Sequence, residues 1–491
     1  MHDDAMDQAR AQEIADRWMM PTEESSYMGG LEKRPILASA SGSTVVDTQG
    51  KDYLDFQSGQ MGAALGHRHP RVMAAVRKAT ETFVHASNIM LNVPRLELHE
   101  RLGKLLVPPL QKSLFLVTGS DTIEASVDLA RKATGGLDIL GLHDGLHGST
   151  SYISRSLSFA WKRQQHASIA PGTSAILTPH CYQCPVASSF PKCEFLCLKA
   201  SLELADANFT SRPAAVIAEP ILSAGGVIVP PPGYFQAVRR ACEERGMLLI
   251  FDEAQTGLGK TGQMFGFQHE GVVPDIMALS KHFGGGVPIS AVCTTAEIAK
   301  RAVASGFFAT RSHAADPMLC AAGVASIDAI VEEDLAGRAA RIELRMKSAL
   351  AEMAKRYELI GDIRGRGVLL GLELVTDRAV HHAHRRRRAG GAAARARPTR
   401  RQRQDDREVF RTGARHHGVD RHLLDRVLPV LPEVGRPHVP DYFVWLVAGV
   451  GQHGRHALLG GQNDRQLVGP EVGAEEVMQI LLRIGLDQPR R

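Results

Sequence analysis

The stretch MLLIFDEAQTGLGKTG, Met247–Gly262, decides how this chain is read. Its first part, Leu248–Phe251, is an apolar run with no polar face, which suits a strand buried on both sides as in a parallel sheet. Two carboxylates end it, Asp252 and Glu253. The second part, Ala254–Thr261, fits the loose phosphate-loop pattern: a small residue, four others, then Gly-Lys-Thr. Three features argue against a nucleotide phosphate there. A phosphate loop leads directly into a helix whose N-terminus faces the anion. Here QMFGFQHEGVVPD follows, Gln263–Asp275, with glycine, proline and aromatics in place of a helical run. Asp252 and Glu253 at the loop entrance would repel phosphate. Finally, LLIFDE looks like the acidic metal-binding strand of nucleotide-hydrolysing enzymes, which belongs on a different strand from the loop.

Working outward, PAAVIAEP (Pro213–Pro220) is a second short apolar strand, ending at Glu219. GYFQAVRRACEERG (Gly233–Gly246) has helical spacing and a glycine stop. PDIMALSK (Pro274–Lys281) and ISAVCTT (Ile289–Thr295) are further strand-like pieces. Alternating strands and helices predict an α/β fold with a mostly parallel sheet. Ligands of such sheets bind off the carboxyl ends of the strands. Glu219, Asp252 and Lys281 all stand at such ends, so the three point to one site.

An aspartate ending one buried strand, and a Ser-Lys ending another before the glycine run HFGGGVP, suit pyridoxal phosphate. That cofactor needs a lysine to attach to, and a carboxylate that keeps its pyridine nitrogen protonated so that the ring draws electrons. Its phosphate needs backbone N–H donors, best supplied at a helix start. LVTGSDTIEASVDLARKA (Leu116–Ala133) offers an apolar strand, a turn through Gly119 and Ser120, then a helical run. Any one of these residues alone reads as a cap, a salt bridge or a solvated surface group; the ordered set carries the inference.

The residues now on the page resemble the class III (subgroup II) pyridoxal phosphate-dependent aminotransferases, closest to the 2,2-dialkylglycine decarboxylase branch. The resemblance spans roughly residues 30–378. It rests on DFQSGQMGAALGHRHP, TGSDTIEAS, HDGLHGST, AEPILSAGG, GMLLIFDEAQTGLGKTG, PDIMALSK, HAADPM and IGDIRGRGVLLGLEL. It implies a fold-type I α/β architecture: a large domain with a mostly parallel seven-stranded sheet, and a small α+β domain. The expected division is an N-terminal segment over 1–80, the large cofactor domain over 81–325, the start of the small domain over 326–378, and an atypical tail over 379–491.

By position, the resemblance makes Lys281 the lysine that holds the cofactor and shuttles the proton. Asp252 pairs with the pyridine nitrogen, and Gln255 lies by the ring's 3-oxygen. Gly119 and Ser120 hold the phosphate, and Ser312 reaches it from a partner subunit. Lys260 and Thr261 then lie in a loop beyond the pyridine-binding strand. Gln60 aligns with the glutamine that holds a substrate carboxylate perpendicular to the ring, which favours loss of carbon dioxide over loss of a proton. The simpler reading of Gln60 is a polar pocket residue. Asp316 with the hydroxyls of Ser87 and Ser312 matches an alkali-metal site for potassium or sodium, as hard oxygen ligands suit; helix capping by Asp316 is the alternative. The implied reaction is decarboxylation-coupled transamination of a 2,2-dialkylglycine with pyruvate as acceptor. Ordinary ω-aminotransfer is the second reading, and a non-catalytic relic the third. Small amino acid and 2-oxo acid substrates and a homodimer or dimer of dimers are the implied partners.

The chain also departs from the family pattern. Leu146 stands where an aromatic stacks on the cofactor ring, Ile123 replaces an asparagine, and Ala224 replaces a serine. Past Val375 the composition turns to arginine, histidine and alanine, then to scattered prolines, and weak order is expected over 379–425. No stretch supplies the expected carboxylate-binding arginine; VFRTGA around Arg411 has the wrong surroundings. REVFRTGARHH, in GC-rich codons read one nucleotide later, can give Gly-Arg-Cys-Ser-Glu-Leu-Gly-Leu-Ala-Ile, which looks like the family's small domain. We therefore hypothesise a frame shift near residue 378. Resequencing the gene tests it, and an unbroken frame with this tail expressed and folded would overturn it.

The 491 residues are 44% hydrophobic and 23% charged, ordinary for a soluble enzyme. The net charge of +5 comes largely from the arginine-rich segment after Thr376, so a basic face for nucleic acid is not expected. The acidic, polar N-terminus is no secretory signal, and no run is apolar enough for a membrane span; a cytoplasmic location is expected. Four of the seven cysteines cluster as Cys181, Cys184, Cys193 and Cys197 beside His180. They read either as a metal knuckle or as free thiols in a loop.

Overall fold

Seven strands form the central sheet: β1 (Leu110–Leu116), β2 (Asp138–Leu142), β3 (Thr173–Ile176), β4 (Pro213–Ala218), β5 (Leu248–Asp252), β6 (Ile276–Leu279) and β7 (Ser290–Thr295). Their spatial order is β1-β7-β6-β5-β4-β2-β3. Strand β7 runs antiparallel to both its neighbours, and the remaining pairs are parallel. This is the mostly parallel seven-stranded sheet that the sequence predicts. The computed structural model describes residues 6–20, 34–159, 170–357 and 360–375, with the backbone of strands Phe443–Val447, Ala457–Leu458 and Gly460–Gly461.

The central strands are buried along both faces because each face packs into its own core. Ile139, Ala215, Ile217, Ile250, Ile276 and Val292 meet helix α1 (Gly119–Thr134) through Ile123, Val127 and Ala130. Leu140, Val216, Leu249, Phe251 and Met277 point the other way, toward Tyr234, Phe235 and Val238 of helix α2 (Tyr234–Arg245). Alternation within each strand serves two apolar layers, which is why no polar face appears in the sequence.

Helix α1 starts at a capping box. The Thr118 hydroxyl accepts the N–H of Asp121, and the Asp121 carboxylate accepts the N–H of Thr118. Gly135 ends it in the left-handed conformation, φ +71°.

Before the sheet, Leu37–Ser41, Thr44–Asp47 and Asp52–Asp55 form an antiparallel set, followed by the turn Ser58–Met61 and the helix Pro70–Thr82. After the sheet come helices α3 (Pro317–Glu332) and α4 (Leu335–Arg356) and the hairpin Ile360–Arg366 with Leu369–Leu374. Phe443–Val447 pairs antiparallel with the hairpin's second strand, and Ala457–Leu458 pairs parallel with Asp52–Asp55. Gly367 in the hairpin turn has φ +58°, and a Cβ there would sit 2.3 Å from the carbonyl oxygen of Lys260. Only glycine allows the hairpin to close over that loop.

The expected domain boundaries after residues 80 and 325 fall inside the continuous helices Pro70–Thr82 and α3. The stretch 379–425, expected to be weakly ordered, and Arg411 lie outside the described residues. Among the described residues no helix is long and apolar enough to cross a membrane.

Candidate active site

Parallel register fixes the centre of the site. Ala218 of β4 pairs with Phe251 of β5, and Asp252 pairs with Ala278 of β6. Glu219, Asp252 and the turn through Ser280 and Lys281 therefore emerge at the same edge of the sheet. Asp252 is buried; its Oδ1 accepts the N–H of Ala254 at 3.0 Å, and its Oδ2 lies 2.9 Å from Nδ1 of His147. His147 is 1% exposed, and its Nε2 is buried without a partner. Glu219 accepts the N–H groups of Leu146 at 2.9 Å and Ser223 at 3.1 Å, and burial pushes its carboxyl up to about 7.

Lys281 is partly buried with φ +49°, a left-handed backbone that costs energy for a side-chain-bearing residue and recurs at functional sites. Burial pushes its ammonium below the ordinary lysine range, while the charges of Asp252 and Glu219 pull it partly back. The turn is held from both sides: His282 Nε2 lies 2.6 Å from the Gly257 carbonyl, and Ser326 Oγ donates to the His282 carbonyl at 3.2 Å.

The loop after β5 contains no helix N-terminus of phosphate-loop type; residues 254–264 run as turns and bends. Glu253 ties the loop down, accepting from Thr256 Oγ1 at 2.6 Å and from the N–H groups of Gly266 and Phe267 at 2.9 and 2.8 Å. Lys260 lies in this loop with its side chain turned inward. It is 4% exposed and donates to Oε1 of buried Gln255 at 3.2 Å, and burial followed by the Lys281 charge pushes it down to about 7. The motif gave no sign of this, because a Gly-Lys-Thr pattern does not say which way the lysine side chain turns.

The start of α1 completes the pocket. Thr118 caps Asp121 and leaves the first-turn N–H groups of Gly119 and Ser120 to other acceptors. A Cβ on Gly119 would come within 2.9 Å of Ser280 Oγ, and one on Gly148 within 2.4 Å of Ser120 Oγ. The helix start, the lysine turn and the His147–Gly148 turn therefore converge on one space.

Gln60 lies in a turn where Ser58, Gly59 and Met61 all have positive φ, and this turn packs against the Lys281–Gly284 turn. Asp55, which the sequence reading passed over, holds it: its carboxylate accepts the N–H groups of Gln57, Ser58 and Gly59 at 2.9, 2.8 and 2.7 Å and meets His67 Nε2 at 2.6 Å.

Asp316 occupies the N-cap position of α3, but its side chain makes no cap hydrogen bond. The carboxylate meets His85 and His313 and the N–H of Ala86. Ser87 and Ser312, expected beside it, are exposed and are not among these partners. The four clustered cysteines line one small pocket with His180 and are not joined by disulfides, and burial pushes Cys197 up to about 11. Leu146 is partly buried, and Ile123 is buried in the core beneath α1.

The aminotransferase class-III family profile matches residues 31–397. An uncharacterized aminotransferase of Schizosaccharomyces pombe is 37% identical over 360 residues, covering 73% of this chain and 80% of that protein. The chain belongs to the class-III aminotransferases. The acetylornithine aminotransferase of Methanopyrus kandleri is 32% identical over 75% of this chain and 86% of its own length. Among solved structures, the taurine:2-oxoglutarate aminotransferase of Bifidobacterium kashiwanohense, in complex with pyridoxal phosphate and glutamate, matches with a TM-score of 0.71 at 25% identity, over 78% of this chain and 85% of that one. Class-III aminotransferases work with pyridoxal phosphate. The pocket of this member fits that cofactor: a depressed lysine, a buried carboxylate with its histidine, and N–H groups at a helix start face the same space.

Proposed function

We propose that this aminotransferase takes nitrogen from a 2,2-dialkylglycine with release of carbon dioxide and passes it to pyruvate. What carries the aminotransfer reading is the Lys281 amine, its charged form disfavoured by burial, at the sheet edge it shares with Asp252 and Glu219. When bound, the cofactor supplies an electron sink for the bond that breaks at the substrate's α-carbon. The residues do the rest. A neutral Nζ on Lys281 can attach the cofactor and carry protons to and from the reacting carbon. Asp252, oriented by His147, holds a proton on the pyridine nitrogen. Gln255, which accepts from Lys260, would lie by the ring's 3-oxygen. Gly119 and Ser120 would hold the phosphate through backbone and hydroxyl, and Ser312 would reach it across a homodimer.

Gln60 supports the decarboxylative step. Its turn abuts the lysine turn, so its amide can donate to a substrate carboxylate and hold the C–CO2 bond in line for cleavage. Similarity to an acetylornithine aminotransferase and a taurine:2-oxoglutarate aminotransferase favours a second reading, ordinary ω-aminotransfer in which Lys281 removes a proton instead. A large domain over 81–325, a small domain beginning near 326 and a cytoplasmic location belong to the same proposal.

Carbon dioxide release from 2-aminoisobutyrate with pyruvate separates the two. The decarboxylative reading expects release, and a Gln60→Ala variant that loses it by about tenfold or more while keeping transamination of simple amines. Transamination without any carbon dioxide, in the parent chain, would leave the second reading standing.

A further inference from the structure

Lys260 is an amine buried where nothing offsets its charge. It is 4% exposed, and among the described residues no carboxylate pairs with it. The charge of Lys281 disfavours its own. A methionine of similar length would fill the space without that cost. A buried ionisable group kept at such a cost beside a site points to use there rather than to packing. The backbone of Lys260 is fixed from outside. Its carbonyl oxygen accepts the N–H of Val368 at 3.0 Å, and a Cβ on Gly367 would sit 2.3 Å from that oxygen. The side chain runs inward, and Nζ donates to Oε1 of Gln255 at 3.2 Å. Gln255 is 6% exposed and lies between Asp252 and Gly257. His282, next to Lys281, holds the Gly257 carbonyl at 2.6 Å, so the Gln255 loop is tied to the lysine turn.

We propose that Lys260 is a positioning residue: it occupies the carbonyl end of the Gln255 amide and so turns the NH2 end toward the cofactor ring beside Lys281. A side-chain amide has one acceptor end and one donor end. An amine bonded to the oxygen leaves the nitrogen as the end that faces the site. A donor there spreads the negative charge of the ring's 3-oxygen, which loosens the proton on the Lys281 nitrogen once the cofactor is attached. Without Lys260 the amide is free to turn its oxygen to the ring, where it repels the 3-oxygen and tightens that proton. This role rests on the proposed place of Gln255 by the 3-oxygen, and it is independent of whether carbon dioxide is released.

The test titrates the absorbance of the full chain loaded with pyridoxal phosphate, without substrate, and reads the pH midpoint at which the band changes. Lys260→Met should raise that midpoint by about one unit or more. Lys260→Arg, which keeps a donor behind the amide, should not raise it. In a Gln255→Leu background there is no amide to turn, so adding Lys260→Met should produce less than about half of the rise. A rise of half or more in that background would mean that the lysine acts through its charge alone and would overturn the proposal. An unchanged midpoint in Lys260→Met, or a rise in Lys260→Arg as large as that in Lys260→Met, would overturn it as well. A parent chain with no band fails the cofactor reading and takes this role with it, whereas a normal parent band with unresponsive variants fails this role alone. Should Lys260→Met misfold, a crystal structure of the loaded parent decides. Gln255 Nε2 within hydrogen-bond distance of the 3-oxygen, with Oε1 on Lys260, supports the proposal; an amide nitrogen turned from the ring overturns it.

Discussion

Two ammonium groups in one apolar pocket cannot both keep their protons cheaply. Lys260 is pushed to about 7 by burial and by Lys281, and Lys281 is itself pushed down by burial. For Lys260 the folded value lies below the unfolded one of 10.5. Between those limits the unfolded chain binds more protons, so stability rises with pH, and it is lost as pH falls through the folded value. Urea unfolding of the cofactor-free protein between about pH 7 and 10 should therefore show stability climbing with pH, by up to about 1.4 kcal/mol per pH unit for one such proton. Lys260→Met should flatten that climb. An identical slope in the variant would mean that Lys260 is not held neutral. The sequence displayed Lys260 inside a phosphate-loop pattern, yet its partner Gln255 and the hairpin glycine that covers it are matters of packing. The Asp252–His147 contact was equally hidden, since 105 residues separate the two.

At the scale of an element, the Ser58–Met61 turn is held in a left-handed path by a single carboxylate. Asp55 accepts three successive backbone N–H groups, and three residues of the turn carry positive φ. Removing that acceptor leaves the donors to find water and lets the turn relax. Asp55→Ala should cost roughly 2 kcal/mol of stability. It should also raise KM for carboxylate-bearing donors more than it lowers kcat, because Gln60 loses its placement while the Lys281 turn keeps its own supports. Steady-state kinetics with thermal unfolding test this; a fall in kcat with KM unchanged would place Asp55 outside substrate binding. The strands were readable as elements because an apolar run buried on both faces leaves a local trace. This turn was not, since its conformation depends on a side chain bonding backward rather than on any periodicity.

For the whole molecule, a pocket assembled from three strand ends, the His147–Gly148 turn and a helix start has to accept its cofactor with Leu146 where the family resemblance expects a stacking aromatic. Adding pyridoxal phosphate to purified protein should produce a violet-region absorbance band, raise Tm, and after borohydride leave the label on Lys281. A protein that gives neither band nor Tm shift would mean that this chain no longer holds the cofactor. The sequence by itself determined the sheet class, the strand-end positions of Glu219, Asp252 and Lys281, the glycine-serine helix start and the family. Each of these is a local pattern: an apolar run, a cap, a residue at a boundary. Tertiary structure alone decided that His147 turns onto Asp252, that Lys260 is buried beside Gln255, and that Asp316 gathers two histidines instead of two serines. His147 with Asp252 and His85 with Asp316 join residues 105 and 231 positions apart, which only the folded chain brings within bonding distance, whereas Lys260 and Gln255 are close in sequence and only packing turns their side chains together.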